Sequence, residues 1–213
     1  MTVTKSHIPP SLESTQLLDG ALPHSPLVAF DQWFSLAEHQ KLPLPEACAV
    51  ATVAVDGRPS IRMVLYKGRV AEDFLFFTNY QSRKGRELES NASLAMLFHW
   101  PTQERQIRIE GQARRADRLL NQSYFTSRPR GSQIGAWASA QSAGLASREI
   151  LEKKFAEMDR KFANQEVPCP ENWGGYLIRA QSIEFWQGKE SRLHDRFVYA
   201  RLGENWRIER IQP

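Results

Sequence analysis

The strongest constraint on this chain is a succession of short strand-like segments packed closely along the sequence. CAVATVAV (48–55) is apolar and β-branched, and it runs into Asp56-Gly57, a pair that favours a tight hairpin. SIRMVLYKG and DFLFFTN continue the meander, and SLAMLFHW (93–100) and RQIRIEGQARR (105–115) form a further pair. In the last of these, Ile107, Ile109, Gly111 and Ala113 alternate with Gln106, Arg108, Glu110 and Gln112. Such alternation marks a strand with one buried and one polar face. GGYLIRAQSIEFWQG and the hairpin RFVYARLGENWRIERI finish the chain. So many antiparallel strands would expose unpaired edges unless the sheet closed on itself. The expectation is a mainly β protein with inserted helices, built on a closed or nearly closed barrel.

The inserted helices are expected at four places. One starts after Ser25, with Pro26 in its first turn and Leu27, Phe30, Phe34 and Ala37 on one face. SRKGRELESN (82–91) and ADRLLNQSYFTSR (116–128) give two more. SREILEKKFAEMDRKF (147–162) gives the fourth, with an apolar stripe of Ile150, Leu151, Phe155, Met158 and Phe162. Residues 1–24 have no clear period and are expected to be a flexible arm before a single domain over 25–213. With 41% hydrophobic and 24% charged residues the chain has the mix of an ordinary globular protein. No stretch has the apolar length of a membrane span and the first residues hold no apolar h-region, so a cytoplasmic protein with no membrane partner is expected. Cys48 and Cys169 lack metal-ligand spacing and are expected to be structural thiols, with no metal site. The net charge of +4 suits nucleic acid, anionic lipid or a phosphorylated small molecule, and charge alone does not choose.

Four groupings carry possible chemistry. Ser82 is a good N-cap, and Arg83 and Lys84 follow in a first turn that is already partly positive; a bound phosphate would relieve that conflict. The bland alternative is a solvated basic turn. Arg62 and Lys67 lie five apart on a strand, hence on opposite faces unless a bulge intervenes. Tyr124 and Arg128 share a helix face, Pro129 stops that helix, and Gly131 lets the chain turn so that Ser132 faces back. A phenol, a guanidinium and a hydroxyl make a phosphate cradle. In RLHDRF, strand alternation places Arg192, His194 and Arg196 on one face, with Asp195 opposite. Trp186 stacks on a flat ring or fills the core.

Seven strings, RMVLYKG, FFTNYQSRKG, ERQIRIEG, SRPRGSQIGAWAS, WGGY, IEFWQG and RLHDRF, resemble the pyridoxamine 5'-phosphate oxidase family and stand in its order. The resemblance implies an FMN-binding split β-barrel whose C-terminal region takes part in dimerisation and the active site. It implies FMN contacts from Arg62, Met63, Val64, Leu65, Lys67, Phe77, Thr78, Ser82, Arg83 and Lys84. Gln106, Gln141, Ser142, Trp186 and Arg196 complete that set. Lys67, Tyr124, Arg128 and Ser132 would hold the substrate phosphate, and Arg192 and His194 would lie against the pyridine ring as the candidate catalytic pair. The implied reaction is oxidation of pyridoxamine or pyridoxine 5'-phosphate by dioxygen to pyridoxal 5'-phosphate in a homodimer, with hydrogen peroxide released. Phe77 stands where members often have Tyr, and the arm lacks the basic, Tyr-containing run common in relatives. Three rivals stay open: another split-barrel flavoprotein such as a flavin or cofactor reductase, a non-catalytic FMN or pyridoxal-phosphate binder, and a nucleic-acid binder. No recognition-helix or RNA-binding signature supports the last, so no nucleic-acid partner is expected.

Overall fold

Eight strands form one antiparallel sheet in the computed structural model, which describes Leu17 and residues 22–213. They are β1 (Ala47–Val53), β2 (Pro59–Val70), β3 (Asp73–Asn79), β4 (Ser93–Trp100), β5 (Arg105–Arg115), β6 (Trp173–Gln187), β7 (Asp195–Leu202) and β8 (Asn205–Arg210). The spatial order is β3-β2-β1-β4-β5-β6-β7-β8, and a further pairing of β3 with β6 closes the first six into a barrel. The expected closure is therefore found. The turn between β1 and β2 holds Gly57 at φ +82°, the left-handed conformation that its Asp-Gly sequence anticipates.

β6 is the strand on which the architecture turns. Its first residues pair with β3, from Trp173 opposite Asn79 to Ile178 opposite Phe74. Its later residues pair with β7, from Ser182 opposite Ala200 to Gln187 opposite Asp195. Along most of its length it also pairs with β5. On β5 the expected alternation is observed: Ile107 and Ile109 are fully buried while Arg108 and Glu110 face solvent.

Among the described residues there are five α-helices: α1 (Pro26–His39), α2 (Arg83–Ser90), α3 (Arg118–Ser127), α4 (Arg130–Ala138) and α5 (Arg148–Lys161). α1 buries Phe30 and Trp33 completely; the Phe30 ring meets Tyr66, Phe74 and Phe98 edge-on at 4.9–5.3 Å. Each such burial stabilises the fold by roughly 1.5–3 kcal/mol. Among the described residues no helix is long and apolar enough to cross a membrane.

Two expectations about helices need correction. The segment after Pro129 is not a glycine turn but α4, with Pro129 as its N-cap residue. The stripe on α5 is a core face only in part: no residue of α5 is itself buried, half-buried Met158 packs against the cluster of Phe125, Ile134 and Trp173, and Phe162, just past its end, is buried in that cluster. Arm residues 1–16 and 18–21 lie outside the described residues. Leu17 is buried, its N–H donating to Asp195 at 3.2 Å and its carbonyl accepting from Arg210 at 2.8 Å.

α3 is anchored to β6 by one buried polar knot. Asn121 donates to the Tyr80 hydroxyl at 3.1 Å and accepts from the Gly175 N–H at 2.8 Å, and Tyr80 donates to the Gly175 carbonyl at 3.1 Å. Gly174 lies against this knot, so an added Cβ would strike both the Tyr80 hydroxyl and the Asn121 amide. Neither can move without breaking buried hydrogen bonds. Gly174→Ala is expected to lower the free energy of unfolding by about 1–3 kcal/mol. Urea denaturation checks this, and an unchanged midpoint would contradict it.

Candidate active site

A cleft of about 600 Å³ opens where β2, β3, α3 and α4 meet, within the usual size range for a small-molecule site. β2 contributes Met63, Val64, Leu65 and Lys67, and β3 contributes Phe77 and Thr78. Lys84, Tyr124, Arg128, Ser132 and Gln141 line the remainder. Eleven of the residues singled out in the sequence thus share one cavity. α4 presents Ser132, Gly135, Ala136 and Ser139 to it, spaced i, i+3, i+4, i+7 on one face. That small-residue face was legible in SRPRGSQIGAWAS and was missed because the segment was read as a turn.

Lys84 is the buried cation of the cleft, only 7% exposed. Its ammonium donates to Thr78 at 3.0 Å and to Ser82 and Gln141 at 3.4 Å, all neutral oxygens. Burial, with the charge of Arg62 adding to it, lowers its pKa to about 8. A buried ammonium without a carboxylate is costly, and an anion placed against it recovers that cost. Ser82 caps α2 as expected, accepting from the Gly85 N–H at 3.3 Å.

The conflict expected at Arg83 is met differently. Glu87, one turn on, accepts from the Arg83 Nε at 2.8 Å and from Ser60 at 2.6 Å. It also accepts from Thr52 and, at 3.4 Å, from Arg62. Arg62 faces this carboxylate and does not line the cleft, whereas Lys67 does; the register of β2 against β3 shifts between Tyr66 and Arg69, a stretch that includes Lys67. Burial would raise the Glu87 pKa, but hydrogen bonds from Ser60, Thr52 and Arg83 outweigh it and hold the carboxyl at about 2. Sequence reasoning passed over Glu87, although its i, i+4 spacing from Arg83 was the available signal.

On the helical side of the cleft, Arg128 caps α3, and Gln133 of α4 donates at 3.1 Å to the carbonyls of Phe125, Thr126 and Arg128. That amide satisfies carbonyls a helix end leaves open. Burial lowers the Arg128 pKa, and its Nη1 is buried with no hydrogen-bond partner. Tyr124, Phe77 and Trp173 lie nearly parallel, with Phe77 3.9 Å from Tyr124 and 5.2 Å from Trp173. Phe77 therefore works through its ring face.

A second group of expected residues sits elsewhere. Gln106 on β5, Trp186 on β6 and Arg196 on β7 are direct cross-strand neighbours. Arg196 donates to Glu184 at 2.8 Å, and the His194 ring lies 4.7 Å from the half-buried Trp186, which is a platform and not core. The alternation expected across Arg192, His194 and Arg196 fails. Arg192 belongs to a short 3-10 turn, where Ser191 and Arg192 have φ of 56° and 63°, and β7 begins only at Asp195. Two non-glycine residues in that conformation store strain in the loop. His194 Nδ1 accepts from the Lys189 N–H at 3.0 Å, so the neutral ring carries its proton on Nε2. Ser142, in an exposed turn after Gln141, has φ 69° and does not line the cleft.

Trp173 and Trp186 mark the separation of the two groups. They lie thirteen residues apart on β6, up to roughly 40 Å of strand.

Comparison with known proteins decides the family. The model described as pyridoxamine 5'-phosphate oxidase matches residues 36–162, and that described as pyridoxine 5'-phosphate oxidase C-terminal dimerisation region matches 173–213. The chain belongs to the pyridoxamine 5'-phosphate oxidase family. A pyridoxine/pyridoxamine 5'-phosphate oxidase of Rubrobacter xylanophilus is 51% identical, with 92% of this chain and 89% of that protein aligned. One from Psychromonas ingrahamii is 47% identical, covering 89% and 88%. Among solved structures, PhzG of Burkholderia lata 383, in complex with tetrahydrophenazine-1-carboxylic acid, superposes with TM-score 0.86 at 30% identity over 96% of both chains. An FMN-binding protein of Nostoc punctiforme described as related to pyridoxamine 5'-phosphate oxidase shares the fold, at TM-score 0.68 and 16% identity over 90% of this chain and 98% of that one. In the family's terms, the cleft residues of β2, β3, α2, α3 and α4 fall in the oxidase region, while its Trp173 wall and Trp186, Arg192, His194 and Arg196 fall in the dimerisation region.

Removing Glu87 tests the ionic knot. Glu87→Ala should cost about 3 kcal/mol of stability, since Arg62 keeps a largely buried charge without its carboxylate. The folded pKa is depressed, so the contribution is present above the ordinary value of 4.5 and fades as pH falls toward about 2. The stability gap between wild type and Glu87→Gln should narrow across that window. A gap that stays constant would show that the charge contributes nothing.

Proposed function

We propose that this protein is an FMN-dependent pyridoxine/pyridoxamine 5'-phosphate oxidase, acting as a homodimer whose two sites each combine the cleft of one chain with the platform of the other. The observation that carries this reading is the separation of the two groups along β6. Gln106, Trp186 and Arg196 lie too far along the sheet to meet Lys84 and Gln141 within one chain. A second copy, brought in through the dimerisation region, supplies them.

The residues present fit the flavin. Lys84 is a buried cation with only neutral partners, suited to a phosphate, and the small-residue face of α4 admits a flat ring. Lys84, Thr78 and Gln141 would hold FMN from one chain, with Ser82 and Arg83 at the helix start. Arg83 uses its Nε on Glu87, which leaves its outer nitrogens for an anion. Met63, Val64 and Leu65 would lie along the ring. Bound FMN supplies the two-electron acceptor for C4' of the substrate and passes the electrons to dioxygen, giving hydrogen peroxide.

The remaining work falls to side chains. Arg128, with a buried unpartnered Nη1, offers its fork to the substrate phosphate alongside Tyr124, Ser132 and Lys67. Clamping a remote phosphate fixes C4' and removes orientational freedom from the reaction. Arg192 and His194 of a second copy would face the pyridine ring. His194 would present an Nε2–H donor there, held by the Lys189 N–H behind it. With the amine substrate, water must reach C4' to release ammonia; with the alcohol it need not. The phosphate-ready guanidinium favours this reading over a flavin reductase or a non-catalytic binder.

Two measurements test it. Lys84→Ala and Arg196→Ala chains are each expected to form flavin-poor homodimers. A heterodimer of the two, isolated through separate tags, should recover one intact site and bind roughly half the wild-type flavin. A flavin-free heterodimer would contradict a site shared between chains. Separately, Arg128→Ala should raise KM for pyridoxine 5'-phosphate by on the order of 10²-fold with a smaller change in kcat, and leave unphosphorylated pyridoxine little affected. Equal losses for both substrates would mean that the cradle does not hold phosphate.

A further inference from the structure

An arginine that must stay open to a phosphate needs something to hold it in place. Elsewhere in the described residues carboxylates do this: Glu87 for Arg62 and Arg83, Glu184 for Arg196, and Glu72 for Arg179 and Arg201. Arg128 is held differently. Its backbone is fixed, its N–H donating to Phe125 at 3.2 Å and its carbonyl accepting from Gln133 at 3.1 Å. Its guanidinium carbon lies 4.7 Å from the centre of the Trp173 ring and 5.6 Å from that of Phe125. Trp173 is itself immobile. It is 6% exposed, opens β6 opposite Asn79, stacks on Phe77 at an angle of 6° and meets Phe125 edge-on at 5.1 Å.

We infer that Trp173 is a positioning residue for substrate recognition: its ring is a cation–π shelf that holds the Arg128 guanidinium in the cleft without neutralising it. The distinction is chemical. A carboxylate partner would occupy the fork and repel an incoming phosphate. An aromatic face attracts the cation through its quadrupole, leaves the N–H groups free and carries no net negative charge. The buried, unpartnered Nη1 is what such an arrangement leaves for a ligand. The same ring carries the positioning onward, because Trp173 also lies parallel to the cradle residue Tyr124, 6.2 Å from it, with Phe77 stacked on both. One shelf thus sets two of the groups that would meet the phosphate. This inference rests on the reading of Arg128 as the phosphate clamp.

The test uses flavin-loaded dimer and the variants Trp173→Phe and Trp173→Leu. Trp173→Leu should raise KM for pyridoxine 5'-phosphate on the order of tenfold, with kcat changed much less. Competitive inhibition by inorganic phosphate should weaken in parallel. Turnover of unphosphorylated pyridoxine and flavin content should stay near wild type. Trp173→Phe keeps an aromatic face and should recover part of the loss; it also serves if the leucine variant does not fold. In an Arg128→Ala background, changing Trp173 should add much less to KM than it does alone, the remainder passing through Tyr124. Equal losses for phosphorylated and unphosphorylated substrate, or full additivity with Arg128→Ala, would make Trp173 an ordinary packing residue and overturn the shelf. If Arg128→Ala itself spares the phosphorylated substrate, the reading of the cradle fails instead, and the two failures are distinguishable.

Discussion

The pairing of β3 with the first half of β6 is the constraint on which the rest depends. It closes the barrel, and in doing so it fixes Trp173 beside Phe77 and the Asn121 knot beside Gly174 and Gly175. α3 and α4 can then stand over β2 and β3 with a cleft between them. The same strand continues beyond the barrel wall and carries β7 and β8. One strand therefore serves two structures. Its start lines the cleft, and its end carries the separate group of Trp186, Arg196 and Gln106.

Under the proposed shared site, this division gives each chain two separate half-sites. A barrel of six strands has little interior room once Phe30, Trp33, Phe74 and Phe98 fill it, so a large flat ligand has to bind outside. The outward face of β2 provides apolar side chains for that purpose: Ile61, Met63 and Leu65 are all exposed. Exposed apolar side chains in a row are costly unless something covers them. In a shared site the ligand and a second copy cover them together, which couples cofactor binding to assembly.

The strands were legible because period-two alternation and Asp-Gly turns act locally. β5 shows this best, its buried and polar residues falling as the sequence orders them. Helix α2 was legible from its Ser82 cap, and the meeting of Tyr124, Arg128 and Ser132 in one cleft from their grouping. Other features depended on contacts between distant segments. α4 was hidden because Pro129 and Gly131 look like a turn, whereas Gln133 capping α3 makes a second helix favourable there. The loop at Arg192 was misread because strand alternation holds only within a strand, and hydrogen bonding begins at Asp195. Trp173 drew no attention as a single aromatic residue; its parallel neighbours come from β3 and α3.

The same limit applies to charge, and here it decides function. The sequence shows where cations are but not which carboxylates have reached them. Arg62, Arg83 and Lys84 look alike as a basic group, yet Glu87 takes the first two and leaves the third among neutral oxygens. Arg128 and Arg196 likewise look equivalent, yet one rests on an aromatic ring and the other on Glu184. A guanidinium already paired can share its outer nitrogens with a ligand, but its charge is largely spent, so it orients more than it attracts. Lys84 and Arg128 keep theirs, and both line one cleft. Unspent cations in a cleft with a small-residue wall suit the proposed phosphorylated ligands with flat rings. Neither charge count nor net charge contains that information; the placement of the carboxylates does.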